Sequence, residues 1–490
     1  MTHSQSLPPQ TTSVPGASAP SSGGAAPKRL RLWGVAAISL GFMGPVMAMS
    51  LNGIGVSGLV GKAVPFTFIV SFFGTMLVAY AFIRLTRYIT HAGSVYALAG
   101  STLGPRAGFF GGFALLGTYL FFAACIAAAC AVFFEAMLTQ LGFTLPAGLW
   151  ILVPLVAAVF VVLLNIRESR VTARTLLGIG FVGIAAMVVL SIVIITSVGT
   201  GSAPVSTGLD FSTLLPGNAS ITAVMTASVF GFLSWAGFES GTTLGEETRN
   251  PKRVVPIALS IAVVLAGVIY TLVMFAQTIG YGTDAAGLSA FANASSTLTD
   301  LGSTYIGPWF SVLIAVVAFA VAFASLLSAT AAAARLLFAL ARDGFGPKSF
   351  AKANPKTGVP THAVVSVTIL TMGLAALLAI FGATAVEVYY WYATIAVLCM
   401  VVAYGMTSVG VIRYTFQKSS PIPKWEVVVP ILGLSYLAFV YVVQVAGQEP
   451  PFSYFPWIAG GWCLIGLLIV LAKPSLADRI GKRLTLEDLN

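Results

Sequence analysis

Glu239 is a carboxylate set inside an apolar stretch, directly after Ser234-Trp235-Ala236-Gly237-Phe238. Acids are rare in such surroundings, and where they occur they mark a substrate, ion or proton path. The residues ahead of it interrupt the helix that the apolar run would otherwise form. A second interruption, Gly41-Phe42-Met43-Gly44-Pro45, lies in the first apolar run of the chain. Pro45 has no N–H and cannot continue a regular helix without losing a hydrogen bond. Hydrocarbon leaves open backbone groups unsatisfied, so a broken helix survives there only by lining a cavity or being buried in protein. Paired breaks in two halves of a chain, one beside an acid, point to a solute site near the bilayer midplane. Glu239 has three candidate roles there: proton acceptor, hydrogen-bond partner in a gate, or structural acid tying helices together.

Other chemistry is sparse. Cys125, Cys130, Cys399 and Cys463 fall inside apolar runs, where thiols behave as small hydrophobes, and neither they nor His3, His91 and His362 show metal-ligand spacing. No metal site or cofactor is expected. Nothing resembles a nucleophile–base pair, and the phosphate-loop pattern GxxxxGK[ST] is absent, so neither an enzyme nor an ATP-driven machine is expected.

The elements that must position these residues follow from composition. Of 490 residues, 58% are hydrophobic and only 8% charged, too few to cover a soluble protein of this size. Apolar runs of about 20 residues predict twelve transmembrane helices, near 33–56, 64–83, 107–137, 147–165, 175–198, 220–244, 255–280, 307–334, 362–382, 387–412, 427–446 and 454–472. The formal charge of +10 raises the question of nucleic acid, but the cations lie in short loops between apolar runs, which argues against it. With the N-terminus inside, every Lys and Arg except Lys62 falls on the cytoplasmic side, the pattern that sets membrane orientation. Both termini are therefore expected in the cytoplasm of a multi-pass cell-membrane protein. Residues 1–29 read as a disordered cytoplasmic tail, 30–472 as the membrane domain and 473–490 as a cytoplasmic C-terminal tail.

Within that frame the chain resembles the amino acid–polyamine–organocation (APC) transporter superfamily, in its bacterial-type amino acid permease branch. The likeness rests on FxxWxGFExxxxxxEExxNPKRxxP within 230–256, GSVYALAGSTLGPRAGFFGGF at 93–113, ATAAAARLLFALARDGFGPKSFAKANPKTGVP at 329–360, and the twelve-helix layout. It implies an all-α integral membrane fold: a LeuT-like 5+5 inverted repeat plus two peripheral helices, with helices 1 and 6 broken. It also implies secondary active transport by alternating access. The cargo would be an amino acid or related small amine, moved by proton or sodium coupling or by exchange.

The resemblance assigns roles residue by residue. Gly41, Phe42, Met43, Gly44 and Pro45 match the loop whose N–H groups hold a substrate carboxylate, helix N-termini being favourable to anions. The match is imperfect, because Gly44-Pro45-Val46 stands where many members have a Gly-Ser-Gly-like turn, and Pro45 offers no donor. The alternative is a ligand-free proline kink. Ser234, Trp235, Ala236 and Gly237 match the unwound segment whose carbonyls meet the substrate amine. The Trp235 indole is a candidate to stack on cargo or act as a gate, since aromatic faces attract ammonium groups, and a packing role is its alternative. Glu246 and Glu247 are candidates for an inner gate held by ion pairs, while Lys252 and Arg253 read as a solvated loop. Ser325 and Ser328, with Thr330, form a candidate sodium site with carbonyls of broken helix one. Hydroxyls in membrane helices also bond their own backbone, which is the competing reading. Some relatives place a Lys on helix five instead of sodium, and residues 175–198 contain none. Tyr119 and the cluster Tyr389, Tyr390, Trp391 and Tyr392 would wall or lid the site, or the cluster forms an interfacial aromatic belt. Two other functions remain: a carrier for a nucleobase, amide or carboxylic acid, and a non-transporting membrane sensor.

Overall fold

The fold was analysed in a computed structural model, which describes residues 30–89, 94–146, 148–167, 170–205, 208–244, 248–355, 357–418, 420–446 and 448–480, with the side chains of 170–177 and of 244 left out of the description. The helices are α1 (Leu32–Met43), α2 (Pro45–Val60), α3 (Val64–Leu85), α4 (Val95–Leu103), α5 (Pro105–Gln140), α6 (Leu152–Arg167), α7 (Arg170–Thr200), α8 (Ile221–Leu233), α9 (Pro251–Tyr281), α10 (Ala285–Ala292), α11 (Thr297–Tyr305), α12 (Pro308–Arg342), α13 (Thr361–Ile380), α14 (Ala385–Thr415), α15 (Val428–Val445) and α16 (Phe455–Ala472). No strand occurs among the described residues; Leu30 and Thr248 form one isolated parallel bridge.

Eleven stretches are long and apolar enough to cross a membrane, and the first, Leu32–Leu85, runs for 54 residues. At 1.5 Å per residue that is roughly 80 Å, far more than the ~30 Å hydrocarbon core. It is two crossings joined at Gly61, whose φ of 57° turns the chain back. The protein is thus an all-helical, multi-pass membrane protein with the twelve crossings read from its sequence.

Burial sorts the crossings. In Pro105–Gln140, Ile221–Thr243 and Ala385–Thr415, 78% of the apolar window is buried, against 28% for Leu149–Arg167 and Lys424–Val445 and 33% for Phe452–Ala472. The first three therefore form the protein-enclosed centre, and the last three present Leu, Ile, Val and Phe side chains outward, as lipid contact requires. Small residues let the central helices close up. A Cβ on Gly108 would lie 2.7 Å from Gly100 Cα, so α4 and α5 pack backbone to backbone.

Both interruptions have local causes. Gly44 sits in the left-handed region (φ 59°, ψ 59°), ending α1, and Pro45 opens α2 at the position where a missing N–H costs nothing. The second break is wound more tightly than the sequence suggests. After α8 the Ser234, Trp235 and Ala236 amides donate to the carbonyls three residues back (3.0, 3.1 and 2.9 Å), Gly237 takes φ 92°, and Phe238–Leu244 continues as a 3-10 helix. The segment is a narrowed helix with a glycine joint, not an open strand.

The bundle has two distinct ends. At one, Lys62 pairs with Asp210 at 3.1 Å; the Ser212 hydroxyl, followed by the ammonium, holds the Asp210 carboxyl below its usual range. At the other, Arg84 and Tyr80 both hold Glu426, and Arg413 donates to the Leu103 carbonyl at 3.1 Å. The chain beyond α16 is helical again over 474–480, with Leu476 and Ile480 buried. Residues 1–29 lie outside the described residues.

Candidate functional site

The two breaks meet. Gly237 packs so closely on Phe42, the penultimate residue of α1, that a Cβ there would lie 1.8 Å from the ring. The Phe42 ring is stacked on Phe122 (6.1 Å) and tilted against Tyr119 (5.9 Å), both from α5. Open backbone groups flank this contact. The first backbone bond of α2 runs from Ala48 N–H to Gly44 O (2.9 Å), and among the described residues the Val46 and Met47 amides have no backbone acceptor. Across the joint, the Ser234 and Ala236 carbonyls accept no backbone hydrogen bond among the described residues. One break therefore offers N–H donors and the other offers acceptors, the pairing needed to hold a small zwitterion or amine.

Beside the joint, Glu239 is fully buried. Tyr119 of α5 donates to its Oε1 (3.0 Å), and Tyr404 of α14 donates to its Oε2. Among the described residues no Lys, Arg or His pairs with it. A carboxylate supported by two phenols and no cation is held in a place where gaining a proton changes its bonding: both tyrosines donate to the anion, while the acid must itself donate. Tyr404 is fixed by edge contacts to Phe82 (5.0 Å) and Phe238 (5.5 Å), so α3, α14 and the 3-10 segment share one aromatic wall.

A second polar group lies on the Lys62 side. The Asn52 amide of α2 donates to Ser234 Oγ (2.7 Å), Ser234 donates to the Phe230 carbonyl (3.2 Å), and Tyr389 of α14 donates to Asn52 Oδ1 (2.7 Å). Tyr390 donates to the Leu51 carbonyl (2.6 Å), and Gln277 and Thr297 donate to the Met49 carbonyl (2.9 and 3.2 Å).

Most residues singled out from sequence are brought together. Phe42, Met43, Gly44, Pro45, Ser234, Ala236, Gly237, Tyr119 and Glu239 are buried at or beside the joint, and Gly41 is half-buried there. The Trp235 ring is placed differently: it turns away from Phe42, donates to the Val263 carbonyl (3.3 Å) and packs against Phe68, Phe72 and Tyr270 of α3 and α9. A large indole between two helices gains more burial there than at a polar joint, so the packing alternative describes its geometry. Ser325 does reach the first break, donating to the Phe42 carbonyl at 2.9 Å, while Ser328 donates to Ala324 on its own helix (2.9 Å). Among the described residues no cluster of His, Cys, Asp and Glu has metal-binding geometry. Glu246 and Glu247 lie outside the described residues.

The tyrosine cluster of α14 is not an interfacial belt. Tyr389 and Tyr392 are buried, and each hydroxyl among Tyr389, Tyr390 and Tyr392 bonds another helix. Asn52 and Tyr404 were not anticipated. An amide in an otherwise apolar helix half, eight residues past the first break, was the available signal for Asn52. Tyr404 offered none beyond its placement in α14.

Comparison with known proteins supplies the lineage. Residues 34–447 match the family model described as amino acid permease. The chain is similar to the low-affinity putrescine importer PlaP of Escherichia coli, 27% identical over 356 residues that cover 72% of this chain and 74% of the relative. It is also similar to the branched-chain amino acid permease BcaP of Lactococcus lactis, 23% identical over 68% of this chain and 73% of the relative. The human cationic amino acid transporter 4 is 26% identical over 76% of this chain and 57% of the relative.

Proposed function

The chain belongs to the amino acid permease family, and on that premise we propose that it is a secondary transporter whose cargo is held at the Phe42–Gly237 joint and whose movement is coupled to protonation of Glu239. The observation that carries this reading is the meeting of two interrupted helices beside a buried acid that has no cationic partner among the described residues. The cargo is an amino acid or related small amine. Its ammonium group faces the Ser234 and Ala236 carbonyls, and a carboxylate, where present, takes the Val46 and Met47 amides. Pro45 removes one donor from that set and no Lys or Arg among the described residues reinforces it, so amines without a carboxylate fit at least as well as amino acids. PlaP is named for putrescine and BcaP for branched-chain amino acids, which brackets the panel to be tried.

Coupling by protons or exchange is favoured over sodium. A sodium ion at the first break would draw on the lone pairs of the Ser325 hydroxyl and the Phe42 carbonyl, which lie 2.9 Å apart. The preference for protons rests on Glu239, a buried acid with no cationic partner among the described residues. Trp235 serves as the packed pivot of the second break, and the Arg413 end lies in the cytoplasm of the cell membrane with both termini.

Purified protein in liposomes should take up or exchange a labelled amine or amino acid, with uptake driven by an imposed proton gradient and indifferent to sodium. No uptake or exchange across polyamines and cationic, branched-chain and small neutral amino acids would rule out the cargo class. Pro45 also motivates a carrier for an amine-free solute such as a nucleobase or amide. Thermal-shift screening distinguishes the two, since a ligand stabilises the state it binds.

A further inference from the structure

We propose that Asn52, held between Tyr389 and Ser234, is the closing latch on the outer side of the site: a positioning group that keeps α2, α8 and α14 together and must let go before cargo enters from outside. The inference rests on the alternating-access reading above and adds a group of residues that neither the family match nor the relatives assign.

The geometry is directional. Tyr389 donates to Asn52 Oδ1 (2.7 Å), Asn52 Nδ2 donates to Ser234 Oγ (2.7 Å), and Ser234 donates to the Phe230 carbonyl (3.2 Å). All three residues of the chain are buried, with Ser234 at 0% and Asn52 and Tyr389 at 1% exposure. The first two bonds join different pairs of elements, α14 to α2 and α2 to the turn after α8. Separating α2 from either neighbour breaks at least one of them. A buried amide left without partners is unfavourable, so the latch resists partial opening and favours one closed arrangement. Opening to water removes that cost, because solvent replaces both partners. Gly53 and Gly55, just past Asn52, make room for the side chains of Met274 and Phe230, which pack α2 against α9 and α8.

The latch also positions the site. Ser234 lies at the start of the narrowed turn whose carbonyls are offered to cargo, and the Asn52 amide fixes its hydroxyl. Loss of Asn52 should therefore both loosen the outer closure and weaken cargo affinity, whereas a merely structural residue would lower the amount of folded protein and nothing else.

Cys125 is a native reporter. It is fully buried on α5, in the neighbourhood of Tyr389 and Tyr390. A variant keeping Cys125 as its single cysteine (Cys130→Ser, Cys399→Ser, Cys463→Ser) is expressed in intact cells and treated with a membrane-impermeant maleimide. Asn52→Leu should raise the labelling rate of Cys125 about tenfold, the shift expected when one to two net hydrogen bonds leave the closed state. Tyr389→Phe and Ser234→Ala should raise it less, in the same direction. Between pH 5.5 and 8 the Asn52→Leu effect should stay constant, because no member of the latch titrates there. Protein that migrates as folded monodisperse material yet labels at the parent rate in both Asn52→Leu and Tyr389→Phe would overturn the proposal. So would an equal rise in Glu239→Gln, which would mean one shared lock. Labelling needs no cargo, so failure here is separate from failure of the transport reading.

Discussion

The two polar groups that flank the Phe42–Gly237 joint share a helix and differ in chemistry. Tyr389 and Tyr404, both on α14, hold them, about 22 Å apart along that helix at 1.5 Å per residue. Toward the Lys62 end, Tyr389 meets the Asn52 amide, which in turn holds Ser234, groups that keep their charge state at every physiological pH. Toward the Arg413 end, Tyr404 meets the carboxylate of Glu239, joined there by Tyr119. α14 thus clamps α2 through a neutral latch and the 3-10 segment through a titratable one. On the proposed reading, protons act on the Glu239 face alone, and opening of the other face is left to cargo binding.

The sharpest way to break the comparison is to destroy the joint between the two groups. Gly237→Ala puts a Cβ into the Phe42 ring at a residue with φ 92°, where an L side chain is strained regardless of space. Transport should fall at least a hundredfold, and Gly237→Ala with Phe42→Ala should recover only part of it, since strain remains after the clash is removed. Full recovery would show that the backbone conformation is irrelevant. A smaller effect, confined to one group, comes from Tyr404→Phe. Removing one hydrogen bond to a charged acceptor costs about 1.5–3 kcal/mol, and the pH midpoint of uptake should move while Cys125 labelling from outside stays near the parent rate. If labelling moves and the midpoint does not, the roles of the two groups are reversed.

The smallest effects belong to charges at the bundle's Lys62 end. Lys62→Ala removes a partly exposed pair worth at most ~1 kcal/mol, and uptake should change less than about twofold at moderate salt. Asp300 of α11 is raised above its ordinary range by burial, with Tyr281 as its partner. An acid whose folded value is raised binds more protons folded than unfolded, so its contribution to stability is present below the unfolded value near 3.9 and is lost as pH rises through the folded one. Asp300→Asn should therefore gain thermal stability relative to the parent at neutral pH and lose that advantage near pH 4. An advantage independent of pH would deny the burial effect.

Hydrocarbon made much of this fold legible in sequence. Because a membrane forbids unsatisfied backbone, long apolar runs give the crossings, and the Gly44-Pro45 and Gly237 interruptions stand out against them. Glu239 was legible for the same reason. Its bonding was not: sequence offers Tyr119 only as a wall of the site and does not offer Tyr404, and only packing of α5 and α14 makes them donors to Glu239. Asn52 shows the same limit. An aromatic side chain carries still less directional information, since Trp235 has an apolar body and one donor and suits either a cargo site or an interhelical slot. The structure puts it in the slot, against α3 and α9. The α14 tyrosines carry a similar ambiguity, because a Tyr-Tyr-Trp-Tyr run at a helix end matches either a wall of the site or an interfacial belt, and here Tyr389, Tyr390 and Tyr392 tie helices together.

The central claim is that Glu239 links a proton to the movement of cargo. Proteoliposomes loaded at neutral pH and diluted into acidic medium report it directly, by comparing the parent with Glu239→Gln. Net accumulation of labelled cargo should be driven by the gradient in the parent and abolished in the variant, while cargo-for-cargo exchange survives in both. Gradient-driven accumulation in Glu239→Gln equal to the parent would contradict it.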